Sequence, residues 1–491
     1  MHKTPFKSGY LPPKWLKTPN LGDIHWKNLS FSNDHQSLII EVPDLTNQQS
    51  DSLCRYLKVQ GHVAMKNISV DAIIEGISSV ILKLLDKSNS SRIFLDETLS
   101  VVTGFDKKMI ELNLSAYLKT FRSHSLKLFL AQDFNQIGML TDFIPVVKGG
   151  WSRVKSSDLI LHIWSANVPA LSLWSLISSL LVKSPSIGKL ASDEPLVASI
   201  FVNLLVQEIP ALEDCLSIVW WRGGDFTQSQ PIFDQSDLVM AYGSDETLSN
   251  IRSHLNISTR FLAHGHKLSF SVVSHTALDN KNAKWVAEQA ALDVVRYDQM
   301  GCYSPHAYFI MTGGLVSPKE FAQILLSEIQ NLSHRFSKRQ LSIGEANALL
   351  KWHQDNVFNA IKNPNFEIFG SPQSPTQVVF SSSAIPLKAT ILNRNVLVIA
   401  INDWSELEYC LRPQSQLLQT AGVAVSIEEL NDLSNKLIDL GVTRICSIGE
   451  MTQPSVGWHH DGGFSLLDLV KIVDVEISAI ASAERFTSYR D

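Results

Sequence analysis

The sequence predicts an α/β protein of two lobes in tandem, each built around a mostly parallel sheet. Three observations predict it. Between residues 159 and 243 short apolar runs alternate with helix-compatible segments. A second alternation of the same kind follows from 267 to 440. The chain has 491 residues, 45% of them hydrophobic, which is too long for one ordinary core and rich enough to fill two.

Taken in order, residues 1–50 are polar, with one strand-like run at Leu38–Val42. From 51 to 135 the texture is helical. VDAIIEGISSVILKLLDK (70–87) repeats apolar residues at three- and four-residue intervals, and MIELNLSAYLKTF (109–121) repeats the signal. A Gly149-Gly150 turn then separates two strand-like runs, which predicts a hairpin near 146–160. LILHIW (159–164) is apolar without alternation, as a strand buried on both faces is. Residues 170–182 and 196–209 read as helices, and 216–221 and 237–243 as strands. Strand–helix–strand alternation calls for a parallel sheet with helices on both faces, and such sheets bind ligands beyond the carboxyl ends of their strands. In the second lobe strands are expected at 267–273, 304–310, 376–380 and 395–401, and helices at 282–298, 317–337, 343–361 and 428–440. The predicted division is 1–267, 268–450 and a C-terminal segment 451–491.

A net charge of −6 gives no electrostatic case for binding nucleic acid. The five cysteines (Cys54, Cys215, Cys302, Cys410 and Cys446) are scattered, with no CxxC pair, so neither a disulfide framework nor a zinc knuckle is expected. A reducing cytoplasm suits such a chain. The N-terminal stretch lacks the apolar core of a signal peptide, and Val168–Val182 is too short and too interrupted to span a bilayer.

Cys302, in YDQMGCYSPHAYF, falls on a turn between a predicted helix and a predicted strand, after Gly301. A thiol there is presented, and a positive local field would make it a strong nucleophile. The plain alternative is an inert buried thiol. Asn167 follows a strand and precedes a helix, where it either caps the helix or offers its amide to an oxyanion. AYGSDETL (241–248) places Gly243 and Ser244 at a helix start suited to a phosphate, although a plain capped helix explains them equally. Lys189 could reach a ribose or a phosphate, or simply be solvated. His264 and His266 flank Gly265, and His459-His460 precede Asp461; neither set shows three ligands in a definite geometry, so no metal is expected.

The order of SANVPALSLWSLISSLL (165–181), KLASDEP (189–195), VWWRGGD (219–225), HGHKLSF (264–270), YDQMGCYSPH (297–306) and GWHHDGG (457–463) resembles the aldehyde dehydrogenase superfamily. More closely, it is similar to the LuxC-type acyl-CoA reductases, the fatty acid reductases of bacterial bioluminescence. The resemblance runs from about residue 140 to the C-terminus.

It implies an aldehyde-dehydrogenase-like fold, with a Rossmann-like cofactor lobe, a catalytic lobe, a hairpin that serves assembly, and a C-terminal segment that returns to the cofactor lobe or to a partner subunit, and a homo-oligomer is expected. It implies that Cys302 is the nucleophile and Asn167 the oxyanion donor, that Trp164 and Ser165 line the nicotinamide, that Lys189 holds the adenosine ribose, and that Gly243 and Ser244 meet the pyrophosphate. Where aldehyde-oxidising members carry a glutamate that activates water, this chain has Ala263, which favours reduction of a thioester over oxidation of an aldehyde. The proton donor is unassigned, with His264 and His266 as candidates. The expected reaction is reduction of an acyl-CoA or acyl-enzyme thioester to an aldehyde by NADPH, or else by NADH, with an acyl-transferring protein as a candidate partner. The alternatives are reductive release from a carrier protein, a non-catalytic scaffold subunit, and a cysteine acyltransferase with His306 or His264 as base.

Overall fold

The computed structural model describes residues 5–33, 36–371 and 374–487; the first four residues of the N-terminal stretch read above lie outside them. The chain forms two compact units. One holds the chain up to Thr103, then Leu114–Gly265 and the stretch from Gly463; the other holds Gly104–Asn113 and His266–Gly462. Among the described residues no helix is long and apolar enough to cross a membrane.

The first unit opens with strands β1 (Phe6–Lys7), β2 (His25–Ser32) and β3 (Ser37–Asp44), joined as β1-β3-β2. Helices α1 (Asn47–Tyr56), α2 (His62–Asn67), α3 (Val70–Leu85), α4 (Ser90–Thr103), α5 (Lys107–Lys119) and α6 (Ser123–Asp133) follow. The predicted hairpin is present as β4 (Ile144–Pro145) and β5 (Trp151–Ser156). Gly149 and Gly150 both have positive φ in its turn, and a Cβ on Gly150 would stand 2.2 Å from the Val475 carbonyl oxygen, so glycine is required there. That carbonyl belongs to β18 (Val470–Val475), which pairs antiparallel along β5 and is followed by α16 (Ile477–Glu484).

The main sheet of this unit is five-stranded and wholly parallel: β6 (Ile160–Ile163), β7 (Ser186–Lys189), β8 (Leu216–Val219), β9 (Leu238–Tyr242) and β10 (Arg260–His264), in the order β10-β9-β6-β7-β8. Helices α7 (Ser172–Leu181), α8 (Val197–Glu208), α9 (Phe226–Gln235) and α10 (Asp245–Ser253) connect the strands. The chain steps outward from β6 through β7 to β8, then returns to the other side of β6 as β9. The connections leaving β6 and β9 therefore part in opposite directions, which opens a crevice at the carboxyl ends of those two strands. Every residue of α7 is buried, serines included. Ser178 and Ser179 donate to the carbonyls of Trp174 and Leu176, and Ser175 accepts the Trp164 indole N–H at 2.8 Å, so these hydroxyls are satisfied without water.

The second unit is built on a seven-stranded sheet: β11 (Leu268–Val273), β12 (Pro305–Met311), β13 (Phe366–Phe369), β14 (Val378–Ser381), β15 (Val396–Ile401), β16 (Leu418–Ala424) and β17 (Arg444–Ser447), in the order β13-β14-β15-β12-β11-β16-β17. Only the β13–β14 pair is antiparallel. Helices α11 (Asn282–Val295), α12 (Pro318–Arg335), α13 (Ile343–Lys362), α14 (Trp404–Leu411) and α15 (Ile427–Asp439) accompany it. Phe270, Phe309, Ile399 and Leu411 are among the residues that fill the core.

Two of the departures from the sequence reading meet just before Cys302. Gly104–Asn113 groups with the second unit, because Phe105 meets the Tyr297 ring edge-on at 5.3 Å and Asp106 accepts the Ser337 N–H at 3.0 Å. The helix expected over 282–298 stops at Val295. Tyr297, Asp298 and Gln299 turn left-handed, with φ of 46°, 50° and 66°.

Candidate active site

Three of the strand ends around the crevice of the first unit carry residues singled out in the sequence. Trp164 and Ser165 follow β6, Lys189 ends β7, and Gly243 and Ser244 follow β9. The Trp164 side chain turns into the protein. Its ring lies over Gly188, where a Cβ would come within 2.0 Å of it, and the Trp164 backbone N–H donates to the Lys189 carbonyl oxygen at 3.3 Å. What Trp164 offers a ligand is therefore backbone.

Lys189 is not a solvated lysine. It is buried on a central strand, its Nζ 6.0 Å from the centre of the Trp221 ring, and burial pushes its pKa down to about 8 while Asp193 pulls the other way. A buried ammonium gains most from an anionic or hydroxyl-rich ligand. Ser244 caps α10 by accepting the Thr247 N–H, and Asp245 and Glu246 occupy the first turn. Those carboxylates weaken the helix's pull on a second anion. On balance a switch-point crevice with Gly243 at one strand end and a buried lysine at another fits a dinucleotide.

Asn167 does not cap the helix after it. The first helical residue is Ser172, capped by Leu171 without a side-chain bond. Asn167 is half-buried, and its Oδ1 accepts the Ser165 hydroxyl at 2.6 Å. The loop it belongs to contains Ala170 at φ 67°, a conformation that costs an L-residue free energy. Glu194 accepts the N–H groups of Ala170, Leu196 and Val197, which ties this loop to the start of α8, and burial pushes its carboxyl up to about 7. Glu194 was not singled out in the sequence. His264 ends β10 with its ring stacked on Tyr242 at 4.7 Å, and Ala263 before it is exposed.

In the second unit Cys302 stands on the turn that leads into β12, half-buried. Its carbonyl oxygen accepts the Ser269 hydroxyl at 2.8 Å, and Ser269 Oγ in turn accepts the Thr420 N–H at 3.3 Å. Ser269 lies where β11 breaks register with both neighbours, an irregularity of the kind that re-aims a side chain beside a site. The Gln419 amide donates to Asp461 Oδ1 at 2.6 Å. Ser269 and Asp461 fall within the HGHKLSF and GWHHDGG stretches, whereas Gln419 carries no local motif; strand pairing brings Ser269 and Gln419 together, and the Gln419 hydrogen bond adds Asp461.

The surroundings of Cys302 favour its neutral thiol. Burial pushes the thiol up to about 11, the Asp461 charge adds to the rise, and the Gln419 amide with the N–H groups of Cys302 and Tyr303 opposes it. A raised pKa keeps the thiol neutral to higher pH. Alkylation of Cys302 by iodoacetamide should therefore keep rising about tenfold per pH unit to roughly pH 10, whereas an ordinary thiol levels off near 9. Peptide mapping is needed to separate it from Cys446, the other partly exposed thiol; a plateau below pH 9 would contradict the raised value.

His266 meets His306 edge-on at 6.3 Å. His306 is buried and held neutral, its pKa lowered to about 4 chiefly by burial, and its Nδ1 accepts the Thr390 N–H at 3.0 Å. That bond occupies the nitrogen a base would use.

A family model described as Acyl-CoA reductase (LuxC) matches residues 65–472. The chain is similar to a long-chain acyl-protein thioester reductase of Aliivibrio fischeri, 22% identical over 463 residues that cover 92% of this chain and 90% of the relative. Among solved structures it is similar to the aldehyde dehydrogenase KauB of Pseudomonas aeruginosa, with a TM-score of 0.74 at 13% identity over 96% of this chain and 97% of that one. It is also similar to the glyceraldehyde-3-phosphate dehydrogenase GapN of Methanocaldococcus jannaschii, solved with NADP, with a TM-score of 0.69 at 11% identity over 91% and 98% of the two chains. At these identities the structural likeness establishes the aldehyde-dehydrogenase-like fold.

Proposed function

The chain belongs to the LuxC acyl-CoA reductase family, and from that premise we propose that it reduces an acyl thioester to an aldehyde through a thioester on Cys302. The observation that carries the reading is one chain holding a turn-presented, half-buried thiol at Cys302 and a methyl group at Ala263. A cysteine can accept an acyl group, and a methyl group cannot activate water to hydrolyse it. The acyl-enzyme then persists until it is reduced.

The residues divide the work. Cys302 attacks the thioester carbonyl and the donor thiol leaves. A reduced nicotinamide, when bound, supplies hydride to the acyl carbon. NADPH is the proposed cofactor, with NADH the alternative, and Trp164, Ser165, Lys189, Gly243 and Ser244 are the residues proposed to hold it. Asn167 donates its amide N–H to the oxyanion, a role compatible with an Oδ1 already bonded to Ser165. His264 and His266 are the proposed proton donors. The relatives' names speak of acyl-protein substrates, so a protein-bound thioester is proposed ahead of free acyl-CoA, delivered by an acyl-transferring protein.

Mass spectrometry tests this directly. Protein incubated with long-chain acyl thioesters and no cofactor should gain one acyl group on Cys302, and adding NADPH should remove it as aldehyde appears. Acylation confined to other cysteines, or loss of the adduct as free acid, would defeat the reading. Asn167→Ala should slow aldehyde formation by about a hundredfold to a thousandfold, since losing one oxyanion donor costs roughly 2.7–4 kcal/mol of barrier. The check is single-turnover kinetics of the preformed acyl-enzyme; a change in substrate binding alone would remove Asn167 from the mechanism.

A further inference from the structure

We propose that one flank of α13 is a docking surface for the same helix of a second copy of this chain, the two running antiparallel. The helix is held to the second unit by a single face. Leu349 and His353 are buried, His353 Nε2 meets Asn395 Oδ1 at 3.2 Å, and Trp352 packs against the core. A capping box of Ser342 and Glu345 fixes its start. Beside that face Ile343, Leu350, Val357 and Ile361 stand exposed, the first and last at 84% and 78%. They follow one another at seven, seven and four residues. At about 100° per residue such spacing gathers them within an arc of about 40°, in one row about 27 Å long. Phe358, also exposed, widens the row, with Lys362 Nζ 4.0 Å from the centre of its ring. A helix flank that met only water would carry polar residues here.

The row itself selects its occupant. With Asn347 and Gln354 included, its positions lie four, three, four, three and four residues apart, a spacing that reads the same from either end. A reversed copy therefore presents the same row, as a two-fold contact requires. Ile343 then lies opposite Ile361 of the second copy, and Leu350 lies within one helical turn of Val357 of the second copy. Charge sets the direction. Lys351 and Asp355 are both exposed. In the reversed register Lys351 comes level, to about 3 Å along the axis, with Asp355 of the second copy. A copy running the same way would set lysine against lysine and aspartate against aspartate. Covering the five apolar side chains in both copies removes on the order of 1,200 Å² from water, the lower end of what specific interfaces bury, which fits a reversible pair. The row belongs wholly to the second unit, so this contact is separate from any assembly through the hairpin of β4 and β5.

The test uses the full chain. In analytical ultracentrifugation across the micromolar range, the parent should double in mass over whatever assembly it holds when dilute. Leu350→Glu changes an exposed residue and sets like charges into the middle of the row, so it should weaken that step about tenfold or more. Disulfide trapping reads the direction. Ile343→Cys and Ile361→Cys, prepared separately and mixed under mild oxidation, should link to each other several times faster than either links to itself, with peptide mapping to locate the bond. In the antiparallel pair the two copies of either position stand about 27 Å apart, too far for a disulfide. A parent that never gains mass overturns the proposal, and so does a Leu350→Glu chain, folded by circular dichroism, that associates as the parent does. Self-linked dimers that form as fast as the mixed one overturn it equally. If Leu350→Glu keeps self-association and loses binding to an acyl-delivering protein, the face belongs to that protein and not to a second copy. Should Leu350→Glu fail to fold, the cysteine mixture decides.

Discussion

Cys302→Ala should abolish aldehyde formation from acyl thioesters, with a fall in turnover on the order of 10⁴-fold or more, and should leave the fold intact. The size follows from covalent catalysis. Without the sulfur no acyl-enzyme forms, and what remains is binding and the oxyanion donor acting on an uncleaved thioester. The intact fold follows from how the turn is held. Ser269 bonds the Cys302 carbonyl oxygen and Ser304 N–H bonds the Gly301 carbonyl at 3.0 Å, so the tethers are backbone atoms that alanine retains. Cys302→Ser should retain the fold as well and recover almost nothing, since a hydroxyl is a far weaker nucleophile without an adjacent base. The other cysteines serve as internal controls. Cys54, Cys215 and Cys410 are buried, with thiols pushed up to about 12, and replacing any of them should leave turnover unchanged. The measurement is acyl-adduct mass together with aldehyde produced, alongside circular dichroism. Reductase activity surviving in Cys302→Ala would return the chain to a scaffold or an unrelated chemistry.

The sequence disclosed those parts of the fold whose local pattern agrees with their surroundings. The strand at Ile160–Ile163 and the helices at Ser172–Leu181 and Val197–Glu208 are apolar enough that burial on both faces leaves no other reading. The strands it missed are made of residues that do not ask to be strands. Ser186–Lys189 is a serine, an isoleucine, a glycine and a lysine, held extended only because β6 and β8 pair on either side of it. Gln419, Thr420 and Gly422 make Leu418–Ala424 look like a loop until β11 and β17 flank it. The site divides along the same line. Cys302 and Asn167 are marked by motif and order along the chain, whereas Ser269 and Gln419 come together through register, and Asp461 through its bond to Gln419, which a local reading does not contain. The left-handed stretch at Tyr297–Gln299 is also invisible from its own residues, because no glycine announces it. Its cause lies almost a hundred residues downstream.

Arg394→Met should cost about 3–5 kcal/mol of stability in the unit that carries Cys302, the price of leaving a buried charge without its partner. Arg394 and Asp298 are almost wholly buried, and their ion pair closes at 2.6 Å. The guanidinium also donates to Ser333 Oγ and the Phe336 carbonyl at 2.8 Å each, and to the Ser337 carbonyl at 3.2 Å. Asp298 accepts the Arg339 N–H at 3.0 Å as well. Around this pair two left-handed stretches face each other, Tyr297–Gln299 and Leu392–Arg394, without a glycine between them. Each such residue costs roughly 1–2 kcal/mol in that conformation, and the crossing bonds offset it: Asn393 N–H to the Asp298 carbonyl at 3.0 Å, Asn395 N–H to Gln299 Oε1 at 2.9 Å, and the Gln299 amide to the Pro305 carbonyl at 2.8 Å. Gln299 stands three residues before Cys302, and Pro305 three residues after it, so the clamp that offsets the strain also fixes both ends of the Cys302 turn. Two results should follow. Urea unfolding followed by a probe in this unit should shift by the stated amount in Arg394→Met, and the double replacement Asp298→Leu with Arg394→Met should be less destabilised than Arg394→Met alone, because no unpaired charge remains. Arg394→Lys should fall between, since an ammonium keeps the charge but cannot serve four acceptors from one planar fork. A loss below about 1 kcal/mol in the single variant, or a double variant that is simply the sum of the two, would show the pair to be a passenger. If the clamp acts as described, Cys302 acylation in Arg394→Met should weaken at urea concentrations well below the unfolding midpoint, because the turn loosens before the sheet behind it does.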